Sequence, residues 1–325
     1  TMKQFLLLFL LSLAASANAQ KLCDYLITEY AETQTTEKTE YSYNEQGLIT
    51  LETVYNLNND SWDYKSKREK EYDENGYDAS IAFYNWTDGQ WEGYSHQTYT
   101  HDSDGNVLTS EYSYSWENNE WLEPTLYKNE YTFDDNHNPI VIEQYKYNGT
   151  EWENYRKDLN TYDENNRLIC NVGMYWSYGD WVNSIKYEYS YYDDGMIKET
   201  IQCRFRNNDW LNYNKYIYIY DEKGNRTSYI VYKWNTDWYL FIDNEFENEY
   251  DEDGDLLTVT TTYRQDEAAD YILHSVANYH YVDAPSGIRT AENAQAIRAA
   301  KYIENGRVVI TNGDRRYTLS GQMLK

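Results

Sequence analysis

Between residues 39 and 283, apolar and aromatic side chains fall mainly on alternate positions, in short runs separated by polar breaks. Leu168, Val172, Met174 and Trp176 share one parity, and so do Ile197, Ile201, Cys203 and Phe205. A period of two marks a half-buried strand. A longer run follows each of these. In one, Tyr216, Tyr218 and Tyr220 mark one face, and Tyr213, Ile217 and Ile219 the other. Tyr, Ile and Thr suit strands. No apolar period of 3.6 persists, and Asn, Asp and Gly cluster where the chain must turn.

The breaks recur. An acidic turn appears as Tyr43-Asn44-Glu45-Gln46-Gly47, Tyr72-Asp73-Glu74-Asn75-Gly76 and His101-Asp102-Ser103-Asp104-Gly105. Phe133 to His137, Tyr162 to Asn166, Tyr191 to Gly195, Tyr220 to Gly224 and Tyr250 to Gly254 continue the series. A second landmark keeps the same beat, at 28–31 residues: Trp62, Trp91, Trp121, Trp152, Trp181, Trp210 and Trp238, each closing a polar turn. Two landmarks in register define a tandem repeat. The expected fold is all-β: about eight antiparallel β-hairpin units of 29–30 residues, forming a long twisted or curled meander sheet, with a small C-terminal β-hairpin. Such a meander can curl, spiral or close, and a four-bladed propeller fits the strand count. An outer-membrane barrel is not expected, because Lys128, Glu130, Lys186 and Glu188 load the long strands with charge and no clean lipid-facing band appears.

The chain carries 39 Tyr and 11 Trp, which supply apolar bulk with polar handles. Its net charge is −27, which argues against nucleic acid as a partner. Three Cys are too few for a disulfide framework. Residues 1–19 read as a secretory signal: Lys3, an apolar run from Phe5 to Leu13, and Ala17-Asn18-Ala19 as the cleavage site. That run is too short for a membrane helix, and no other stretch qualifies as a transmembrane segment. The expected layout is a lead-in over 20–38, the repeat domain over 39–283, and a linker with a tail over 284–325. The tail is basic. Pro285-Ser286-Gly287 reads as its linker, Ala291 to Ala300 as a short helix or flexible segment, and Arg307 to Leu319 as a hairpin around Asn312-Gly313-Asp314.

The Tyr-x-Tyr-Asp-x-x-Gly-x-Leu flavour of residues 39–283 resembles the YD repeats of Rhs-type bacterial surface and toxin-shell proteins, here in a longer unit with an added Trp turn. The tail elements Asn305 to Ile310 and Tyr317-Thr318-Leu319-Ser320-Gly321 are similar to C-terminal sorting tails of secreted Bacteroidetes proteins. That resemblance implies type IX export and surface attachment.

Hairpins that turn alternately at two edges put the acidic turns along one edge and the Trp turns along the other. Trp62, Trp91, Trp121, Trp152, Trp181 and Trp210 are the candidate ligand-binding residues: a row of flat rings that suits a polysaccharide or another cell surface. Trp86, Trp176 and Trp234, on the preceding strands, are expected to pack. The acidic turns Asp102-Ser103-Asp104-Gly105 and Asp251-Glu252-Asp253-Gly254 carry alternating oxygens of the kind calcium loops use, although turn chemistry alone explains them. No other metal site and no cofactor is expected. His96 and His101 fall on opposite faces of a strand, and no Ser/His/Asp or Cys/His set is present. The sequence thus predicts a non-catalytic repeat protein, secreted or on the outer cell surface. It would act as an extended, adhesive or glycan-binding interaction surface, or else as a structural spacer.

Overall fold

The computed structural model describes residues 21–283 and four short strands at 300–304, 307–312, 315–318 and 323–324. The first strands are β1 (Lys21–Tyr30), β2 (Thr35–Tyr43), β3 (Ile49–Asn58), β4 (Ser61–Tyr72), β5 (Asp78–Thr87), β6 (Gln90–His101) and β7 (Val107–Ser113). A small separate hairpin follows, β8 (Ser115–Glu117) with β9 (Glu120–Leu122). The series resumes with β10 (Thr125–Phe133), β11 (Pro139–Tyr147), β12 (Trp152–Tyr162), β13 (Leu168–Ser177), β14 (Asp180–Tyr191) and β15 (Ile197–Arg206). It ends with β16 (Asp209–Tyr220), β17 (Arg226–Trp234), β18 (Trp238–Tyr250), β19 (Leu256–Arg264) and β20 (Ile272–Asp283).

Each strand pairs antiparallel with the next, β7 pairs with β10, and β20 pairs back onto β1 from Lys21↔Asp283 to Tyr30↔Ser275. The sheet is a closed barrel of 18 strands. The open twisted or curled meander is therefore incorrect, although the all-β class and the order of hairpins stand. Closure removes the two unpaired edges that an open sheet would present. The charges of Lys128, Glu130, Lys186 and Glu188 argue against an apolar outer band. They do not argue against closure, which was the error in excluding a barrel.

Eight strands make a barrel just wide enough for its own side chains to fill. Eighteen enclose far more space, so this wall is one layer thick. Only nine apolar side chains are buried in the described residues, and most strand residues are half-exposed. The densest cluster, Cys23, Phe246, Leu256, Val259 and Tyr279, lies at the seam where β1 and β20 meet. Burial pushes the Cys23 thiol up to about 12, so it stays protonated and unreactive.

The acidic turns share one construction, except at Tyr191–Gly195, where Tyr192 takes the first place and Asp194 Oδ1 accepts from the Met196 N–H. The Oδ1 of the first polar residue accepts the backbone N–H groups two and four residues on. Asp73 accepts from Asn75 and Tyr77, and Asp163 from Asn165 and Arg167, all at 2.9 Å. Uncharged Asn44 does the same for Gln46 and Leu48. The fourth turn residue needs a left-handed backbone. Gly76 has φ 85°, and in the degenerate copies His137 (67°) and Asn166 (60°) take that place.

Six of the seven Trp units, all but that of Trp121, also loop one residue out of the ladder three positions after the Trp. These bulge residues are Lys65, Tyr94, Tyr155, Ser184, Tyr213 and Phe241. A bulge reverses the face on which later residues fall. Residues opposite each other on paired strands share a face, so the registers sort the wall into two faces. One carries Trp62, Tyr64, Lys67 and Glu69 and their equivalents. The other carries Tyr187, Tyr189, Tyr191, Tyr216, Tyr218 and Tyr229, with Asn and Gln between them. Tyr213 was expected on the face of Ile217. It lies instead on the tyrosine face, under the Arg204 guanidinium at 3.3 Å, because it is the bulge residue.

The C-terminal strands β21 (Ala300–Glu304), β22 (Arg307–Asn312), β23 (Arg315–Thr318) and β24 (Met323–Leu324) pair in sequence. β22 and β23 form the hairpin expected there, with Ile310 opposite Tyr317. The signal segment, Pro285-Ser286-Gly287 and the Ala-rich stretch before Ala300 lie outside the described residues.

Candidate functional site

All 11 Trp of the chain stand beside the Trp turns, at one rim of the barrel. The registers put nine of them on the lysine–tryptophan face; Trp116 and Trp121 of the small hairpin pack onto Tyr84 of that same face. Most hairpins pair two rings across their turn: Trp86–Trp91 at 4.9 Å, Trp116–Trp121 at 4.7 Å, Trp176–Trp181 at 5.1 Å and Trp234–Trp238 at 5.0 Å between centroids. Phe205 and Tyr147 serve Trp210 and Trp152, and Leu57 faces Trp62. Edge-to-face geometry satisfies the ring quadrupoles. The expected packing of Trp86, Trp176 and Trp234 is thus met as cross-hairpin partners.

Over each repeated Trp lies a cation from the preceding unit. Lys38 stands over Tyr55 and Trp62 (4.8 and 5.3 Å), Lys67 over Tyr84 and Trp91 (4.4 and 5.1 Å), and Lys215 over Tyr232 and Trp238 (4.6 and 5.2 Å). Lys128, Lys157 and Lys186 reach Trp152, Trp181 and Trp210 at 5.7–5.9 Å. His96 replaces the lysine over Trp121, stacked at 5.3 Å. Each contact is worth about 0.5–1 kcal/mol at a partly exposed site. Carboxylates two residues on hold several of the ammonium groups, as in Lys38–Glu40 (2.6 Å) and Lys128–Glu130 (2.8 Å).

Trp62, Trp91, Trp121, Trp152, Trp181 and Trp210 are therefore brought together, but as a collar and not as a straight row, because the sheet closes. Trp152 is 40% exposed and the others are half-buried. The lysines were missed in the sequence. Their signal was present: Lys67, Lys157, Lys186 and Lys215 each follow a repeated Trp by five residues, as His96 follows Trp91.

The opposite rim carries the acidic turns. Asp251, Asp253 and Asp255 bring their carboxylates within reach of one centre, and the Lys21 ammonium sits there, 3.4, 2.8 and 2.9 Å from them. These contacts, Asp253 foremost, hold Lys21 above the usual lysine range. At the other calcium-like turn, Asp102 spends Oδ1 on the amides of Asp104 and Asn106 and Oδ2 on the Asn106 side chain. Both turns already use the oxygens that a cation would need. His96 and His101 do lie on opposite faces, and His101 Nδ1 is buried 3.6 Å from an Asp73 carboxylate oxygen without a hydrogen bond.

No protein-family model and no curated protein matches the sequence. Among solved structures, a protein of unknown function from Bacteroides fragilis is 19% identical over 36% of this chain and 89% of its own, with a TM-score of 0.32. A porin-like protein from Bacteroides uniformis is 10% identical over 80% of this chain and 98% of its own, with a TM-score of 0.38. A chain of the TcdB2-TccC3-Cdc42 structure is 11% identical over 91% of this chain and only 17% of its own, with a TM-score of 0.34. This chain thus spans about a sixth of that one, and no residue role passes to it from any of the three.

Proposed function

We propose that the protein is a non-catalytic barrel displayed outside the cell, and that its tryptophan collar is an interaction surface for a polysaccharide or a neighbouring cell surface. The observation that carries this reading is the placement of all 11 Trp at one rim. Repetition gives many equivalent weak contacts, and flat rings stack on sugar faces. The signal-like residues 1–19 and the sorting-tail resemblance support an extracytoplasmic location.

An aromatic collar also suits a bilayer interface, but the charge pattern opposes a spanning wall. On the lysine–tryptophan face, Lys67 and Glu69 follow Trp62 with only Tyr64 between them. The tyrosine face carries Arg68, Glu52, Arg156 and Asp158 at mid-strand. A lysine or arginine facing lipid at the midplane costs about 2–4 kcal/mol. The protein is expected to stay monodisperse without detergent. Titration with soluble polysaccharides should quench or shift Trp fluorescence, and Trp152→Ala should weaken the effect severalfold. Detergent-dependent solubility removes the barrel-in-water reading. Fluorescence that stays silent across polymers leaves a structural spacer.

A further inference from the structure

On the tyrosine face, a groove of about 440 Å³ crosses β7 and β10–β14. Its floor is Gly173. At the equivalent place in other units stand Val54, Phe83, Tyr112, Gln144, Gln202 and Val231, so this unit alone of the seven has no side chain there. The glycine leaves room for Arg156 and Asp158 to lie flat across β13. A Cβ on Gly173 would sit 2.9 Å from Ile185 Cγ2 and 3.3 Å from Asp158 Oδ1. The bulge residues Tyr155 and Ser184 flank this notch on either side.

We propose that this groove binds a neutral oligosaccharide. Three phenol rings on its walls are open to solvent, Tyr114 at 69%, Tyr175 at 47% and Tyr155 at 43% exposed, against half-covered indoles in the collar. Tyr155 is held in place by Tyr127 at 5.1 Å, and Tyr127 by Tyr112 at 5.6 Å, so the platform is pre-set. Gln144, Thr125 and Ser184 supply hydrogen-bonding groups between the rings. The volume falls within the usual range of small-ligand sites. The charge argues for a neutral ligand. Arg156 is the one charged residue lining the groove, and two 2.8 Å contacts tie it to Asp158. Lys146 stands over the Tyr155 ring at 6.0 Å and is the one ammonium at the groove's edge; a single edge lysine on a chain of net charge −27 favours a neutral sugar over a polyanion, and no carboxylate lines the groove to draw a cationic ligand. Collar and groove lie on opposite faces of the wall. The groove proposal therefore shares the carbohydrate reading given above but uses different residues.

The test is calorimetric titration of the full chain with cellohexaose, laminarihexaose, mannohexaose and xylohexaose, with trigalacturonate as the anionic comparator. At least one neutral hexamer should bind and trigalacturonate should not. Tyr155→Ala with Tyr175→Ala should weaken binding at least tenfold, Tyr155→Phe should keep it, and Trp152→Ala should leave it unchanged. Both tyrosines are exposed, and a thermal melt of each variant checks that it folds. Hexamer binding that survives the double tyrosine variant and falls with Trp152→Ala overturns the groove and leaves the collar. Binding to long polymers with none to any hexamer does the same. Equal binding of trigalacturonate overturns the neutral-ligand assignment.

Discussion

At the residue scale, the turn carboxylates do structural work that responds to pH. Backbone N–H donors four residues on, from Asn138, Arg167 and Asp255, are the leading cause that holds Asp134, Asp163 and Asp251 below the ordinary 3.8. A carboxylate depressed in the folded state adds stability above its unfolded value and loses it as pH falls through the folded one. Thermal melts should therefore be flat above about pH 5 and drop steeply below 3.8. Asn44 performs the same capping without a charge, so Asp134→Asn should keep the turn and reduce the acid sensitivity. A variant that loses stability equally at every pH contradicts this account. The aspartates were legible in the sequence as turn formers. Their competition with calcium was not, because nothing in the spacing of residues 251–255 reveals that Lys21, some 230 positions away, occupies the centre.

At the element scale, the pairing of strands and the alternation of the two turn types follow from two landmarks with one beat, and both were readable. The bulge was not, because a period-two reading runs straight through it. The phase flip is visible once sought: Trp62 and Tyr64 have even numbers, whereas Lys67 and Glu69, on the same face, have odd ones. The extra residue turns a strand whose Trp and Lys would otherwise lie on opposite faces into one where both share a face, the Trp against its own hairpin's ring and the Lys over the next unit's Trp. Deleting Ser184 should drive Trp181 to the tyrosine face, away from Trp176, and cost about 2–3 kcal/mol. Ser184→Ala should be close to neutral, and denaturant unfolding of the two variants measures the difference. Equal stabilities refute a register role for the bulge.

At the scale of the whole molecule, closure rests on β1, which lies in the stretch taken from sequence as a lead-in. It carries neither a Trp turn nor an acidic turn of its own, so the beat gave no sign of an additional strand. What does mark it is packing: Cys23 and Leu26 join the seam cluster, and Tyr43 donates its hydroxyl to the Cys23 carbonyl at 2.6 Å. Removing residues 21–30 should leave β2 and β20 as bare edges. The truncated chain should self-associate on sizing chromatography while the intact chain elutes as a monomer.

The meeting of β1 with β20 also makes the order of the strands arbitrary. Every neighbouring pair but that one is joined by a loop or, between β7 and β10, by the small β8–β9 hairpin, and at the seam the two chain ends of the wall lie side by side at the acidic rim, Lys21 opposite Asp283. A circular permutant with a short linker from 283 to 21, and new ends opened between Asn207 and Asn208, keeps every ladder and every ring pair. Because the ends can be moved to any bend without loss of the wall, evolution by whole-unit duplication could add blades of thirty residues anywhere around the circumference.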